Sequence, residues 1–304
     1  MRAVILIDSE SRRPGDGATA IRLAARLRAR GTAPLTTVCF LHDARPTFAE
    51  SLEWCASRGA TELVLAPYVL EDRPLVHGDL LRLREAAGVS YPGLAVHIAR
   101  PLDDHPVVAQ VLLQRAAEAD YIAAHPFLAE HAGAREDVGE HWRPLYVRYP
   151  EPGAAAASGS AADAPWRPMY ASEQTALLIA APYQRHYPRH AAAGRSAYSV
   201  AERIRRQRRY TAVRVCLVGQ GEPSIGASLD DLAGRGIRHT IAVPYTLQRS
   251  DPLIDRLAWE VTAAQAGHPE RTLLLAEHLT YDRRLVDALA DRVGEALRSL
   301  PRAG

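Results

Sequence analysis

Lysine is absent from all 304 residues, and arginine supplies every permanently basic side chain. That absence excludes Schiff-base chemistry and a Walker-type phosphate loop, both of which need a lysine amine. Cysteine is scarce: Cys39, Cys55 and Cys216 are odd in number, far apart and never in a CxxC pair. Neither a disulfide framework nor a structural zinc site fits, whereas a reducing compartment does. A strong charge of one sign is also missing, because 37 basic residues offset 35 acidic ones to leave a formal +2. Without a clustered basic excess, nucleic acid is not an expected partner. Long hydrophobic runs are lacking too. The opening Met1-Arg2-Ala3-Val4-Ile5-Leu6-Ile7-Asp8 reaches charge within a few residues, so it reads as a buried strand rather than a signal peptide or membrane span. The expectation is a soluble cytoplasmic protein with no membrane partner, its oligomeric state left open.

What is present is material for cores: 47% of residues are hydrophobic and 24% charged, in a chain long enough for two ordinary domains. The stretch Glu151-Pro152-Gly153, continued by Ala, Ser, Gly and Asp to Pro165, has too little apolar bulk to pack. It reads as a linker over 151–165 between domains at 1–150 and 166–304. The two sides match at a constant offset of 177 residues, which pairs Cys39 with Cys216, Pro46 with Pro223, Leu52 with Leu229, Gly59 with Gly236, Tyr68 with Tyr245 and Leu102 with Leu279. Matches at one offset in one repeating pattern indicate duplication.

Strand-length apolar runs occur at Ala3 to Ile7, Leu35 to Leu41, Glu62 to Ala66 and Leu94 to Ala99. Helical patterns lie between them, such as Ala20-Ile21, Leu23-Ala24 and Leu27. Alternating strands and helices predict an α/β fold of two tandem flavodoxin-like domains, each a small parallel sheet with helices on both faces. Ligands of such sheets bind beyond the carboxyl ends of the strands, which directs attention to the residues after each strand.

Those residues are Asp8-Ser9-Glu10-Ser11-Arg12-Arg13-Pro14, then Phe40-Leu41-His42-Asp43-Ala44-Arg45-Pro46-Thr47, then Pro67-Tyr68-Val69-Leu70, then Pro101-Leu102-Asp103-Asp104-His105-Pro106. In order and spacing they resemble the sirohydrochlorin cobalt and iron chelatases of the CbiX and SirB type. Those carry G-H-G-S-R-D-P, F-L-E-x-A-x-P-S, P-L-F-L with a histidine eight residues after the proline, and P-L-G-x-H-P. The resemblance spans roughly residues 2 to 118, and more weakly 175 to 297. It implies metal insertion into a tetrapyrrole, with the first and third fragments' histidines binding the metal and helping to remove pyrrole protons. Here those histidines fall on Ser9 and Leu75, and the family's assisting acidic residue falls on His42. In the second half Ala181 and Pro252 occupy the histidine positions, and Gly219 the acidic one.

The resemblance therefore implies relocated chemistry. Insertion needs a ligand that holds a divalent ion briefly and a base for pyrrole protons, and imidazole suits both. His42, with Glu10 and Ser9, is the candidate catalytic set; His42, His77 and Glu10 are the candidate ligands for a divalent cobalt, iron or nickel ion. His77 lies two positions beyond Leu75, so in a helix it points to nearly the opposite face. Asp8, Ser11, Arg12, Tyr68, His105, Tyr183 and Arg185 are candidate contacts to a polycarboxylate tetrapyrrole or similar small molecule between the halves. Plainer readings stand beside these. The Asp8 to Ser11 turn is equally a helix N-cap, and His105 a cap for the helix that follows it. The insertion from Tyr183 to Ser199, with His186 and His190 around Pro188, is a ligand lid or a surface loop. The run Arg203 to Arg209 attracts a polycarboxylate or forms a solvated helix end. Three functions remain open: a divergent metallochelatase, a catalytically silent tetrapyrrole or metal binder, and an enzyme of other chemistry acting through Asp8, Glu10 and His42.

Overall fold

Strand β1 (Arg2–Asp8) is buried from Ala3 onward, as six successive apolar or strand-end residues between two helical layers require. The computed structural model describes residues 1–8, 17–41, 44–71, 74–124, 174–183, 194–219, 221–247, 252–268 and 270–298. The linker expected at 151–165 lies outside them. The first half continues with α1 (Gly17–Ala29), β2 (Leu35–Phe40), α2 (Phe48–Ala56), β3 (Glu62–Pro67), α3 (Pro74–Ser90), β4 (Ala95–Ile98) and α4 (Pro106–Ala124). The second half repeats the series as β5 (Thr175–Pro182), α5 (Arg195–Arg206), β6 (Ala212–Val218), α6 (Ile225–Gly234), β7 (His239–Pro244), α7 (Pro252–Gly267), β8 (Thr272–Leu275) and α8 (Arg283–Arg298).

Each half forms a four-stranded parallel sheet, in the orders β2-β1-β3-β4 and β6-β5-β7-β8. The order reverses beside the first strand of each sheet, the flavodoxin-like switch point. The duplication extends to detail. Cys39 pairs with Ile7 in one sheet and Cys216 with Ala180 in the other, so the two cysteines occupy equivalent strands. Helix α2 is capped by Thr47 and α6 by Ser224, 177 positions apart, and each side chain accepts the backbone N–H three residues on. Both caps follow a cis X-Pro bond, at Arg45-Pro46 and Glu222-Pro223.

The constant offset fails in one place. Ile7 and Ala180 occupy the same register against the third strands, opposite Pro67 and Pro244, so β1 and β5 are offset by 173. The loop after β5 is thus four residues longer than the loop after β1. This corrects the second-half equivalences: by register Ala181 is the counterpart of Asp8, not of Ser9.

The last helix of each half crosses to the other sheet. Helix α4 packs on β7 and β8, while α8 packs on β3 and β4. One core therefore runs through both halves, joining Val4, Leu6, Val64 and Tyr68 to Leu112, Ile179, Val243, Tyr245, Leu285 and Leu289. Helices α2 and α3 cover the outer face of the first sheet, and α6 and α7 that of the second. Among the described residues, no helix is long and apolar enough to cross a membrane.

Candidate functional site

Side chains alternate along a strand, so Val4, Leu6 and Asp8 share the face of β1 that meets the central layer, as do Val64, Ala66 and Tyr68 on and after β3. Asp8 ends its strand at 1% exposure, and Tyr68 sits beside it at 2%. The Tyr68 N–H donates to Ile7 O at 2.8 Å, and the Leu41 N–H to Asp8 O at 3.1 Å, which pins three strand exits together. Burial, then the Asp8 and Asp282 carboxylates, push the Tyr68 hydroxyl well above the usual phenol range. Burial and Asp8 push the neighbouring Cys39 thiol up to about 12, so it stays a neutral thiol.

The second half meets this edge directly. Glu71, shortly after β3, accepts from the N–H and the hydroxyl of Ser196 at 3.2 and 2.7 Å, capping the first turn of α5 from across the seam. The Tyr245 hydroxyl, just after β7, donates to Ser196 Oγ at 2.9 Å and lies 3.5 Å from Asp103 O. Burial raises Tyr245 above the usual phenol range, with its Ser196 bond opposing and Glu71, Asp103 and Asp104 adding to the rise. The residues after β3, β4, β5 and β7 therefore converge on one seam between the halves.

Below this edge, α8 grips the exit loop of the first half. Arg292 on α8 donates to Leu102 O at 3.0 Å and to Glu295 at 2.9 Å, with Asp104 at 3.4 Å. Its counterpart Arg115 on α4 donates to Glu118 at 2.7 Å. Asp282 is held by Arg284, which also reaches Gln114 of α4. Burial opposes ionisation of Asp282, but the Arg284 hydrogen bonds and charge, with Arg115, keep its carboxyl below the usual range. His105 lies 3.4 Å from Asp291 through Nε2, while its Nδ1 accepts the Val107 N–H at 3.3 Å. A lone pair on Nδ1 and a proton on Nε2 define a neutral imidazole. Burial first and Arg292 second hold His105 below its ordinary value, against Asp291. Near the other end of α4, Asp120 meets His239 of β7 at 3.4 Å with both side chains buried.

Of the residues expected from sequence, Asp8 and Tyr68 come together at the first sheet's edge, and His105 is engaged at the seam. Tyr183 directly follows β5 and donates its N–H to Val218 O at 3.2 Å. Its ring leaves no room for a Cβ at Gly221, which would lie 2.7 Å from Tyr183 Cδ2. His77 is exposed on α3. Ser9, Glu10, Ser11, Arg12, His42, Arg185, His186 and His190 lie outside the described residues, as does the side chain of Leu75. Among the described residues no three His, Cys, Asp or Glu side chains gather in a metal-binding group. A groove of about 290 Å³, lined by Arg2, Thr32 and Asp291 among others, lies at the amino edge of the first sheet, away from the strand exits.

Sequence reasoning missed Glu71 and the two buried arginines, and it placed Ser196 in a loop running to Ser199, whereas Arg195–Arg206 is helix α5 with Ser196 buried in its first turn. A signal for the arginines existed, because Arg115 and Glu118 recur as Arg292 and Glu295 at the same offset of 177. A buried arginine paired one helical turn away in both halves marks a conserved geometry of the duplication rather than a solvated face.

Comparison with known proteins agrees with this geometry. The CbiX family model matches residues 3–119 and 186–296. SirB from Bacillus subtilis with Fe3+ is similar in structure at a TM-score of 0.69 and 17% identity, over 97% of this chain and 95% of that one. The sirohydrochlorin chelatase SirB from Bacillus subtilis subspecies spizizenii in complex with cobalt gives 0.61 and 17%, over 98% and 96%. A multi-domain Deinococcus radiodurans protein, described as similar in structure to chelatases with two additional novel domains, gives 0.57 and 15%, over 97% of this chain and 54% of that one. No curated protein sequence matches the chain significantly. With three quarters of its length matched by the family model and two chelatase-like sheets joined at their strand exits, the chain belongs to the CbiX family.

Proposed function

We propose that the chain binds a polycarboxylate tetrapyrrole, or a related metal-binding small molecule, between its two halves, with a divalent cobalt, iron or nickel ion as the metal substrate or cargo. The observation that carries this reading is the convergence of strand exits from both halves on one seam, through Tyr68, Glu71, Ser196 and Tyr245. Ligands of open α/β sheets lie beyond such exits, and membership of the CbiX family makes a tetrapyrrole the first candidate.

Chemistry on this scaffold is altered. Ser9 holds its proton too tightly at neutral pH to act as an imidazole, and Leu75 neither ligates nor takes a proton. Metal handling then falls to His42 and Glu10, with His77 from α3, and proton transfer to His42 with Ser9 and Glu10. Asp8, Ser11, Arg12, Tyr68, His105, Tyr183 and Arg185 form the polar surroundings of the ligand. The same two substitutions favour a second reading: a binder that stores or delivers a tetrapyrrole or metal without inserting one.

Absorbance titration with sirohydrochlorin, followed by cobalt or iron insertion, tests both readings. Binding is expected, with insertion slow or absent. Restoring imidazoles with Ser9→His and Leu75→His is expected to raise the insertion rate about 10²- to 10⁴-fold, the usual worth of a positioned base. Failure of the unmodified chain to bind any tetrapyrrole sinks the proposal. Full-rate insertion that is lost in His42→Ala would instead show that the ligand has moved to His42.

A further inference from the structure

The two halves spend equivalent hydrogen-bonding groups differently. Tyr245 uses its hydroxyl on Ser196, whereas the equivalent Tyr68 hydroxyl, equally buried, has no hydrogen-bond partner among the described residues. Arg292 uses Nη2 on Leu102 O. On the equivalent Arg115, at 1% exposure, Nη1 meets Glu118 while Nε and Nη2 have no partner among the described residues. The Asp282 carboxylate acts electrostatically on Tyr68, and Arg115 acts on Asp282 in turn. Arg284 already neutralises that carboxylate.

Guanidinium N–H groups only donate, and a buried charge with unspent donors requires an acceptor. Unpartnered buried polar atoms are rare enough in proteins that each calls for an occupant. We infer that Tyr68 and Arg115 form a subsite for an oxygen acceptor, a carboxylate arm of the ligand that enters the seam between the halves. This assignment rests on the tetrapyrrole-binding reading and deepens it by naming donors for one acidic substituent. The asymmetry lies in two donors: Tyr245 bonds Ser196 and Arg292 Nη2 bonds Leu102 O, whereas the Tyr68 hydroxyl and Arg115 Nη2 have no partner among the described residues, and Nε has none on either arginine.

The test uses the full chain and compares sirohydrochlorin with its fully methylated ester. Tyr68→Phe is expected to weaken binding of the free acid about tenfold, the scale of a lost hydrogen bond to a charged group, and to leave ester binding unchanged. Arg115→Gln should do the same more severely. Because the Tyr68 hydroxyl spends no bond without ligand, Tyr68→Phe should leave the melting temperature of the free protein unchanged or raised. Tyr245→Phe should lower it while sparing the distinction between acid and ester. Equal losses for acid and ester, or a melting temperature lowered in Tyr68→Phe as much as in Tyr245→Phe, would make Tyr68 a structural residue and overturn the subsite. Unchanged binding of the acid in Tyr68→Phe and in folded Arg115→Gln would leave internal water as the occupant and overturn it equally. If the unmodified chain binds neither compound, the tetrapyrrole reading falls and takes the subsite with it.

Discussion

His105 illustrates how a single side chain at the seam is tuned by what covers it. Its Nδ1 accepts from the first turn of α4 while Nε2 faces Asp291 of the other half, an arrangement that only the neutral ring completes. Its folded value lies below the ordinary 6.5, through burial and then Arg292. The unfolded chain therefore takes up the proton more readily, so the stabilisation is fully present above pH 6.5 and is lost as pH falls toward the lowered folded value. Thermal melts across this range should show a decline on acidification, and His105→Gln should flatten it. An identical pH profile for that variant would remove His105 as the cause. The position is legible in sequence as a His-Pro pair before a helix. The depressed value is not, because Arg292 and Asp291 lie more than 180 residues away along the chain.

At the scale of elements, the duplicated caps provide an internal comparison. Thr47 and Ser224 precede α2 and α6 with nearly identical backbone angles and equivalent hydrogen bonds, but only the first has a capping-box glutamate inside the helix: Glu50 accepts the Thr47 N–H at 2.7 Å, whereas the Ser224 N–H goes to Glu222, before the helix, at 3.0 Å. Removing either hydroxyl should cost about 1 kcal/mol of stability. Thr47→Ala should cost somewhat more than Ser224→Ala, because it also disrupts a capping box. Denaturant unfolding of the two single variants measures the difference, and the larger loss falling on Ser224→Ala would contradict it. The helices themselves follow from sequence, with apolar positions at three- and four-residue spacing ahead of Gly59 and Gly236. Both glycines adopt left-handed backbone, at φ of 80° and 78°, which favours glycine over other residues.

At the scale of the molecule, the exchange of α4 and α8 makes the halves interdependent. A first half cut after Ala124 would keep β3 and β4 but lose α8 from their inner face, and α4 would lose β7 and β8. The exposed surface would include Tyr68, Leu102 and Leu112, all buried in the intact chain. The expected outcome for a fragment of residues 1–124 is either an unfolded chain or a dimer in which a second copy supplies the missing helix. Circular dichroism with light scattering distinguishes these from a folded monomer, which would contradict the exchanged packing.

By itself the sequence determined the local and repeated features: the four strands of the first half with helical patterns between them, their repetition at an offset of 177, the family resemblance and the absence of imidazole at positions 9 and 75. These depend on side-chain periodicity, on caps and turns, and on comparing one half with the other, all of which act over short stretches of chain. Tertiary structure alone decided which helix covers which sheet, because α4 is apolar enough to pack on either and only the assembled halves bring it onto β7 and β8. It likewise decided that Glu71 caps α5, that β1 and β5 are offset by 173, and that the Tyr68 hydroxyl and Arg115 Nη2 are without partners among the described residues where Tyr245 and Arg292 Nη2 have them. Hydrogen bonding across the seam depends on distances between groups up to 190 residues apart, and spacing along the chain does not encode those distances.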